Sequence, residues 1–410
     1  MNTRVVRIQN IDEARCNQFF LDVDNNANQI TQYTVVHRLL IISIVLAPMT
    51  SLRIWKAGPA EVLCLLACIL HLTRRGRERG FNSQLICFWS AFLLASALGT
   101  VYGWAFYSSE TTPSQLLTWI YFAVVSVVSY DAFRMATSDS LKNALKALSL
   151  MGCSWYLLLY LYSRLVRSSI LGAPLWYEGT RFSGGGSNPH QLALFLSIIG
   201  VIQFAFMLNE HRLLNKVTLL LAFIISMLLL METKSSTGIM SSVVGLTIIM
   251  LFTFHDSRTR IVLVSLLLML ACLLMSPLID SMMRWIASDA NGMGRLEIFS
   301  SFPSAFMKSP IVGLGPGIHA QNGIIEFHNT YLELLSMSGM LGGAAFLVLT
   351  VQLYSALKVN QLAISCLFTL YAFGLSGFAM RRLVYWLILS LVMAYVNAQS
   401  LAVTVDSWCR

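Results

Sequence analysis

The sequence predicts an all-α, polytopic membrane protein of about twelve transmembrane helices, and three observations lead to this fold class. Hydrophobic residues make up 56% of the 410 residues and charged residues only 11%, whereas about a quarter of a soluble domain is charged. The apolar residues form repeated runs of about twenty, the length that a helix needs to cross the hydrocarbon core. One run, residues 261–279, contains no charged residue. Because a spanning segment must satisfy its own backbone groups in lipid, these runs predict helices.

The apolar runs divide the chain into a transmembrane domain, residues 38–404, and two tails that we expect on the cytoplasmic side, residues 1–37 and 405–410. Residues 1–36 lack the apolar core of a signal peptide, so the first span is expected to act as an uncleaved signal anchor. The predicted spans are residues 38–55, 58–73, 83–106, 115–134, 143–163, 190–208, 216–232, 236–254, 260–279, 328–355, 360–378 and 383–404.

Basic residues orient these spans. With the N-terminus inside, the inner loops and tails contain 17 basic residues and the outer side 11, which together make up the 28 of the chain. The segment "RRGRERG", residues 74–80, is the strongest inside marker, and it is better explained as a topology anchor than as a nucleic-acid patch. Two substantial loops, about residues 164–189 and 280–327, then lie on the outer side. Loops held by a rigid scaffold are where chemistry is usually found.

The eight cysteines do not indicate a cross-linked or metal-binding protein. Six of them lie inside apolar runs and two lie in the tails, so no pair shares a polar loop. This placement predicts neither a disulfide framework nor a zinc site.

The first outer loop leads into the sixth span with "YEGTRFSGGGSNPHQLALF", residues 177–195. Gly184 and Gly185 belong to a run of three glycines whose amides can approach an anion closely. Arg181 precedes the run, and Asn188 is a suitable helix cap before a proline. The structural alternative is a flexible turn followed by a capped helix.

The second outer loop contains "GRLEIFSSFPSAFMKSPIVGLGPG", residues 294–317. Arg295 and Glu297 lie on a segment whose apolar residues predict an amphipathic helix in the membrane interface. The "GLGPG" stretch, residues 313–317, predicts a tight turn. We do not interpret it as a phosphate loop, because no strand precedes it.

The tenth predicted span starts with an ionisable pair. His328 and Asn329 open this helix and Glu333 follows within it, and ionisable groups at such positions are functional candidates by default. A helix N-terminus disfavours the imidazolium, so His328 is expected to be neutral and able to accept a proton. The structural alternative is a histidine that caps its helix, and Glu333 could instead bond a neighbouring helix.

The outer residues together suit one type of chemistry. One arginine side chain can bind two phosphate oxygens at once. Lys234 adds a charge between the seventh and eighth spans. A neutral histidine can deprotonate a hydroxyl. These groups fit a lipid-linked pyrophosphate as leaving group and an alcohol as nucleophile. No metal and no cofactor is expected if the basic side chains neutralise the developing charge.

At these residues the chain resembles the O-antigen ligase and polymerase superfamily of bacterial inner-membrane glycan transferases. The resemblance is carried by "RFSGGGSNPHQLA" (181–193), "GRLEIFSSFPSAFMKSPIVGLGPG" (294–317) and "HNTYLELLSMSGMLGG" (328–343), in that order and on one face. Between the seventh and eighth spans, where family members often have a serine-arginine pair, this chain has "TKSSTG". Lys234 there supplies a charge but not a bidentate fork.

The resemblance implies inverting transfer of a glycan from undecaprenyl pyrophosphate on the periplasmic face of the inner membrane. Arg181 and Arg295 would hold the pyrophosphate, with Lys234 as a further contact. His328 would activate or orient the acceptor hydroxyl, and Asn329 would support that site. The expected partners are the lipid bilayer, the lipid-linked glycan donor, an acceptor glycan and a chain-length regulator, and no nucleic acid is expected.

The possible functions differ in the acceptor of the glycan. A polymerase would extend a lipid-linked repeat unit of O-antigen or exopolysaccharide, whereas a ligase would transfer finished glycan to lipid A-core. The R-x-x-G-x-x-x-N-P loop is more similar to polymerases. A secondary transporter or flippase is the alternative from another class, and it predicts charged residues near the mid-depth of helices and paired broken helices.

Overall fold

The computed structural model describes residues 35–53, 57–75, 80–107, 113–253, 292–317 and 327–408. Within these ranges the chain forms twelve helices, of which eight are long and apolar enough to cross a membrane. The all-α, polytopic membrane fold is therefore confirmed. The ninth predicted span and most of the N-terminal tail lie outside the described residues, so the number of twelve spans stays a prediction. The helices are α1 Val35–Leu46, α2 Pro59–Arg74, α3 Ser83–Tyr107, α4 Pro113–Phe133, α5 Ser138–Leu165, α6 Pro189–Leu208, α7 Leu213–Glu232, α8 Ser236–Thr253, α9 Gly292–Lys308, α10 Thr330–Leu357, α11 Gln361–Gly374 and α12 Leu383–Trp408.

Local signals in the sequence explain where several helices begin and end. Asn188, Asn329 and Asn360 accept hydrogen bonds from the first amides of α6, α10 and α11, as Asn does at helix N-termini. The first span ends earlier than predicted, because α1 stops at Leu46 just before Pro48. Proline cannot continue a helix, so the chain turns there and returns along α2.

α6 and α12 form the centre of the bundle. In α6, 89% of the apolar window is buried, and in α12 the share is 78%, whereas in α7 it is only 28%. α6 packs against α5, α7, α8 and α11, and α12 packs against α4 and α5. The outer helices, such as α7, turn most of their surface away from the bundle, where a membrane would cover it.

α10 is broken at Gly339, which has a left-handed φ of 60° inside the helix. The loop that follows α9 fills the break: the amides of Leu314 and Gly315 donate to the carbonyls of Ser336 and Met337, at 2.9 and 3.0 Å. A break in a membrane helix is tolerated where protein groups take up the freed backbone bonds. The "GLGPG" turn therefore has a structural role here.

The first outer loop forms two antiparallel hairpins, β1 Ser169–Ile170 with β2 Ala173–Pro174, and β3 Trp176–Tyr177 with β4 Arg181–Phe182. Phe182 is fully buried and packs edge-on against Tyr160 of α5. This contact holds the second hairpin on the bundle and fixes the backbone of Arg181 beside it.

A buried ionic cluster lies at the other end of the bundle, where α2 ends and α4 ends. The carboxylate of Asp131 contacts His71 Nε2 at 2.9 Å, Arg75 Nε at 2.7 Å and Arg134 Nη2 at 2.9 Å. Asp131 and His71 are both almost fully buried. The cluster fixes the start of the basic segment 74–80, which the sequence analysis identified as a topology anchor.

Candidate functional site

The residues predicted to be functional lie on loops at one end of the bundle, and hydrogen bonds connect these loops. The amide of Ser51, after α1, donates to the carbonyl of Gly185 at 2.9 Å. Thr237, at the start of α8, bonds the hydroxyl of Ser376, after α11, at 2.7 Å. Segments far apart in sequence thus form one continuous surface.

Arg181 lies against the loop between α7 and α8. Its Nε donates to the carbonyl of Thr233 at 3.1 Å, and its Nη2 reaches the carbonyl of Lys234 at 3.4 Å. Lys234 itself has a left-handed φ of 50°, and its side chain is exposed. The structure therefore brings Arg181 and Lys234 together, although the direct contacts are made to the lysine's backbone.

The glycine run next to Arg181 is a tightly packed turn. Gly184 and Gly185 have φ values of 58° and 86°, and a Cβ at Gly184 would lie 2.7 Å from the ring of Tyr156. Glycine is needed here for the backbone and for the space. Asn188 then caps α6 through a bond from the amide of His190 at 2.9 Å, as the structural alternative predicted.

His190 is a polar residue of this region that the sequence analysis did not select. Its Nδ1 bonds the hydroxyl of Ser235 at 2.8 Å. Together with Arg181, it fastens the 181–190 segment to the α7–α8 loop. The sequence signal was weak, because a histidine in the first turn of a helix has many ordinary roles.

His328 occupies a strained position immediately before α10. Its φ is 51°, a left-handed value that costs a non-glycine residue about 1–3 kcal/mol. Such values cluster at functional sites, where the surroundings hold the residue in place. The side chain is half-buried.

The cap of α10 is Asn329, not His328. The Asn329 Oδ1 accepts from the amides of Tyr331 and Leu332, at 2.9 and 3.1 Å, and its Nδ2 donates to the carbonyl of Leu375 at 2.8 Å. The neighbouring Thr330 Oγ1 donates to the carbonyl of Gly377 at 2.8 Å. The start of α10 is thereby fixed to the α11–α12 loop.

Glu333 lies close to His328. It is 2% exposed, and its Oε2 accepts from the amide of Phe327 at 3.0 Å. Asn329 and Glu333 therefore hold the chain on both sides of His328, which explains how its left-handed backbone is maintained.

Arg295 and Glu297 lie in α9, so the predicted helix is present at this position. Their side chains are outside the described part of the structure. Further along α9, Phe302 packs edge-on against Phe327, with ring centroids 5.6 Å apart. This contact places the C-terminal half of α9 next to the segment that carries His328.

A cavity of about 890 Å³ opens at the same end of the bundle. Its polar wall includes three arginines that were not selected as site residues from the sequence: Arg53, Arg381 and Arg382. Arg381 and Arg382 lie at the end of the α11–α12 loop, which holds the start of α10. The sequence did not indicate the cavity, because its walls come from five separate parts of the chain.

No group of three or more His, Cys, Asp and Glu side chains lies close enough to hold a metal ion among the residues with described positions. The side chains that converge at the loop end are mainly arginines, amides and hydroxyls. They suit the binding of anionic oxygens and of sugar hydroxyls.

Comparison with known protein families gives a match over part of the chain. Residues 221–347 match the family model described as O-antigen ligase. This region belongs to the O-antigen ligase family. No curated protein and no solved structure matches the chain.

The O-antigen ligase region contains several of the residues discussed above, namely Lys234, Arg295, Glu297, His328, Asn329 and Glu333. Arg181 and the glycine turn precede it, and the loop with Arg381 and Arg382 follows it. The match supports a multi-pass membrane enzyme of the O-antigen ligase and polymerase type that acts on lipid-linked glycans.

Proposed function

We propose that this protein is a polymerase of O-antigen or exopolysaccharide. It joins oligosaccharide repeat units linked to undecaprenyl pyrophosphate, on the periplasmic face of the inner membrane. The observation that carries the proposal is His328: it lies within the O-antigen ligase region and is held in a left-handed backbone conformation beside loops rich in basic residues.

The leaving group of this reaction is a pyrophosphate, and its charge must be neutralised. Arg181, Arg295 and Lys234 are the proposed contacts. Arg181 supports this role because it lies on the α7–α8 loop next to Lys234, with its Nε bonded to the Thr233 carbonyl at 3.1 Å. Preorganised cations at the leaving group stabilise charge that develops in the transition state.

The nucleophile is a sugar hydroxyl of the acceptor. In the proposal His328 takes its proton or orients it, and Asn329 and Glu333 keep His328 in place. Attack from the face opposite the pyrophosphate forms the new glycosidic bond and breaks the bond to the phosphate oxygen, so the anomeric configuration inverts. The proton of the hydroxyl passes to His328, and undecaprenyl pyrophosphate is released.

Transfer of finished glycan to lipid A-core is the second candidate function. It is favoured by the description of the matching family, O-antigen ligase. The polymerase is preferred because of the R-x-x-G-x-x-x-N-P loop at residues 181–189. Both functions use the same donor and the same proposed residues.

Two substitutions of His328 test the proposal in a deletion strain complemented with the variant gene. His328→Ala and His328→Gly both remove the imidazole, but glycine also suits the left-handed backbone, so His328→Gly separates loss of chemistry from backbone strain. We expect both variants to accumulate in the membrane at the wild-type level and to make no polymer. Electrophoresis of the extracted polysaccharide measures the outcome.

His211→Ala is the matched control, because His211 is an exposed histidine at the other end of the bundle. It should make polymer of normal length. Wild-type polymer from His328→Gly would contradict the proposed role of the imidazole. The deletion strain itself separates the two functions: loss of a polymerase leaves core carrying one repeat unit, and loss of a ligase leaves bare core. For an exopolysaccharide polymerase, the secreted polymer is lost while the lipopolysaccharide stays intact.

A further inference from the structure

The cavity near Arg381 lies between α2 and α4, and we call it the α2–α4 cavity. The rest of its wall is formed by the turn after α1, the start of α6 and the loop before α12. At about 890 Å³, it is at the large end of the range for small-molecule sites, about 300–1,000 Å³. A free phosphate or pyrophosphate would fill only a small part of this volume.

One end of the cavity is cationic and polar. Arg53, Arg381 and Arg382 line this end, together with a single acidic residue, Glu61. Arg53 Nη2 lies 3.4 Å from Glu61 Oε1. The positive charge therefore exceeds the negative charge, and guanidinium forks match the oxygens of a phosphate or pyrophosphate.

The same end contains hydroxyl and amide groups in fixed positions. Thr50 Oγ1 donates to Gln191 Oε1 at 2.6 Å and accepts from the amide of Ser187 at 3.0 Å. Gln115 and Thr118 of α4 line the opposite wall. Such groups can bond a sugar attached to the phosphate.

The other end is apolar and open to the outside of the bundle. Val62 and Leu65 of α2 and Leu117 of α4 line the cavity, and each is also exposed on the outer surface of the bundle. In a membrane this surface faces lipid chains. Tyr121 and Phe122 form the inner apolar wall.

We infer that the α2–α4 cavity binds a second lipid-linked substrate. Its phosphate lies against Arg53, Arg381 and Arg382, and its hydrocarbon chain leaves the protein between Val62, Leu65 and Leu117. A ligand with an anionic head and an apolar chain matches the distribution of charge along the cavity. A soluble sugar or a free phosphate would leave the apolar opening unused.

The position of the cavity fits an acceptor. The loop that carries Arg381 and Arg382 is bonded to the start of α10 through the Thr330 Oγ1, which donates to the Gly377 carbonyl at 2.8 Å and accepts from the Ala379 amide at 2.9 Å. The sugar of a lipid held in the cavity is thereby close to the segment of His328. The identity of the lipid as acceptor rests on the proposed function, but binding can be tested without any activity.

The test uses the full-length protein in nanodiscs of zwitterionic phosphatidylcholine, and native mass spectrometry counts the bound molecules of undecaprenyl pyrophosphate. We expect two per wild-type protein, one at the Arg181 site and one in the cavity. The double variant Arg381→Gln/Arg382→Gln should bind only one. The affinity of the cavity for the lipid should fall about tenfold for each charge-assisted contact that is removed. Arg181→Gln should lose the other. The lipid that stays bound in each variant reports that the protein is folded.

A matched pair of substitutions tests the apolar opening. Leu65 and Leu66 are neighbours on α2 with exposed fractions of 49% and 45%, but only Leu65 lines the cavity. Leu65→Trp should fill the opening and reduce binding to one lipid, whereas Leu66→Trp should leave two. Equal stoichiometry in these two variants would overturn the inference.

Three other results would also overturn it, and none of them contradicts the proposed function. Two lipids bound to Arg381→Gln/Arg382→Gln would show that these arginines do not bind the lipid. Phosphatidylglycerol that displaces undecaprenyl pyrophosphate from the cavity equally well would indicate a general anionic-lipid site. Inorganic pyrophosphate that binds the wild-type cavity as tightly as undecaprenyl pyrophosphate does would indicate a phosphate site with no role for the chain. Failure of the proposed function would instead appear as normal polymer from His328→Gly.

Discussion

At the scale of single residues, the sequence left two roles open for His328, a helix cap and a proton acceptor. In the structure the cap is Asn329. Asn329 caps α10 and bonds the carbonyl of Leu375, whereas His328 has the left-handed backbone and is held from both sides. A catalytic imidazole needs such support, because small displacements of a positioned group cost large factors in rate. In the proposed function, the asparagine would contribute by positioning the histidine.

Substitution of Asn329 should separate its two bonds. Asn329→Ala removes both the cap and the bond to the Leu375 carbonyl, and the cap alone is worth about 1 kcal/mol. Asn329→Asp keeps an acceptor for the first amides of α10 but loses the donor. We expect thermal stability in detergent to fall in the order wild type, Asn329→Asp, Asn329→Ala. An Asn329→Ala protein as stable as the wild type would show that the cap does not hold this helix.

At the scale of elements, the break in α10 depends on three segments that are distant in sequence. A Cβ at Gly339 would lie 2.3 Å from the carbonyl oxygen of Ile311, and one at Gly99 of α3 would lie 2.6 Å from that of Val312. The 311–315 loop is thus enclosed between the broken helix and α3. Backbone packed this closely against backbone leaves no room for relaxation.

Gly99→Ala gives a direct test, because helix propensity and packing predict opposite signs. Propensity alone predicts that alanine stabilises a helix by about 1 kcal/mol. The contact with Val312 predicts a loss of about 1–3 kcal/mol from overpacking. We expect destabilisation, measured as a lower midpoint of thermal unfolding in detergent.

The control for this experiment is Gly80→Ala. Among the residues that the structure describes, no atom lies within 4 Å of a Cβ at Gly80, so the stability of this variant should stay close to that of the wild type. An increase in the unfolding midpoint of Gly99→Ala would contradict the tight packing of the 311–315 loop against α3.

At the scale of the whole molecule, the two ends of the bundle differ in chemistry. One end contains the connected loops, the α2–α4 cavity and the segment of His328. The other contains the buried cluster around Asp131 and the basic segment 74–80. The proposed function requires the first end to face the periplasm, since lipid-linked repeat units are joined there.

Two serines at opposite ends of α5 test this orientation. Ser140, in the first turn of α5, and Ser168, just after its end, are both exposed and lie at opposite ends of the bundle. In intact cells a membrane-impermeant maleimide should label Ser168→Cys and not Ser140→Cys. The unsubstituted protein gives the background from the eight native cysteines. Labelling of Ser140→Cys alone would reverse the orientation.

Much of the fold could be predicted from the sequence, because membrane helices are determined by local composition. The length of each apolar run sets a span, and a residue such as Asn188 or Asn329 marks where a helix starts. The candidate residues Arg181, Lys234 and His328 could be selected in the same way, as ionisable groups at the ends of apolar runs. Their roles stay predictions for the experiments above to test.

The class of fold, the positions of most helices and the loops with the candidate residues follow from the sequence alone. The break in α10 at Gly339, the position of Arg181 on the α7–α8 loop and the cavity shared by Arg53, Arg381 and Arg382 are visible only in the folded protein. The two groups of features differ in the range of the interactions that produce them. A span or a cap depends on residues that are neighbours in sequence, whereas the break in α10 is filled by residues 314–315 and the cavity joins residues as far apart as 53 and 381.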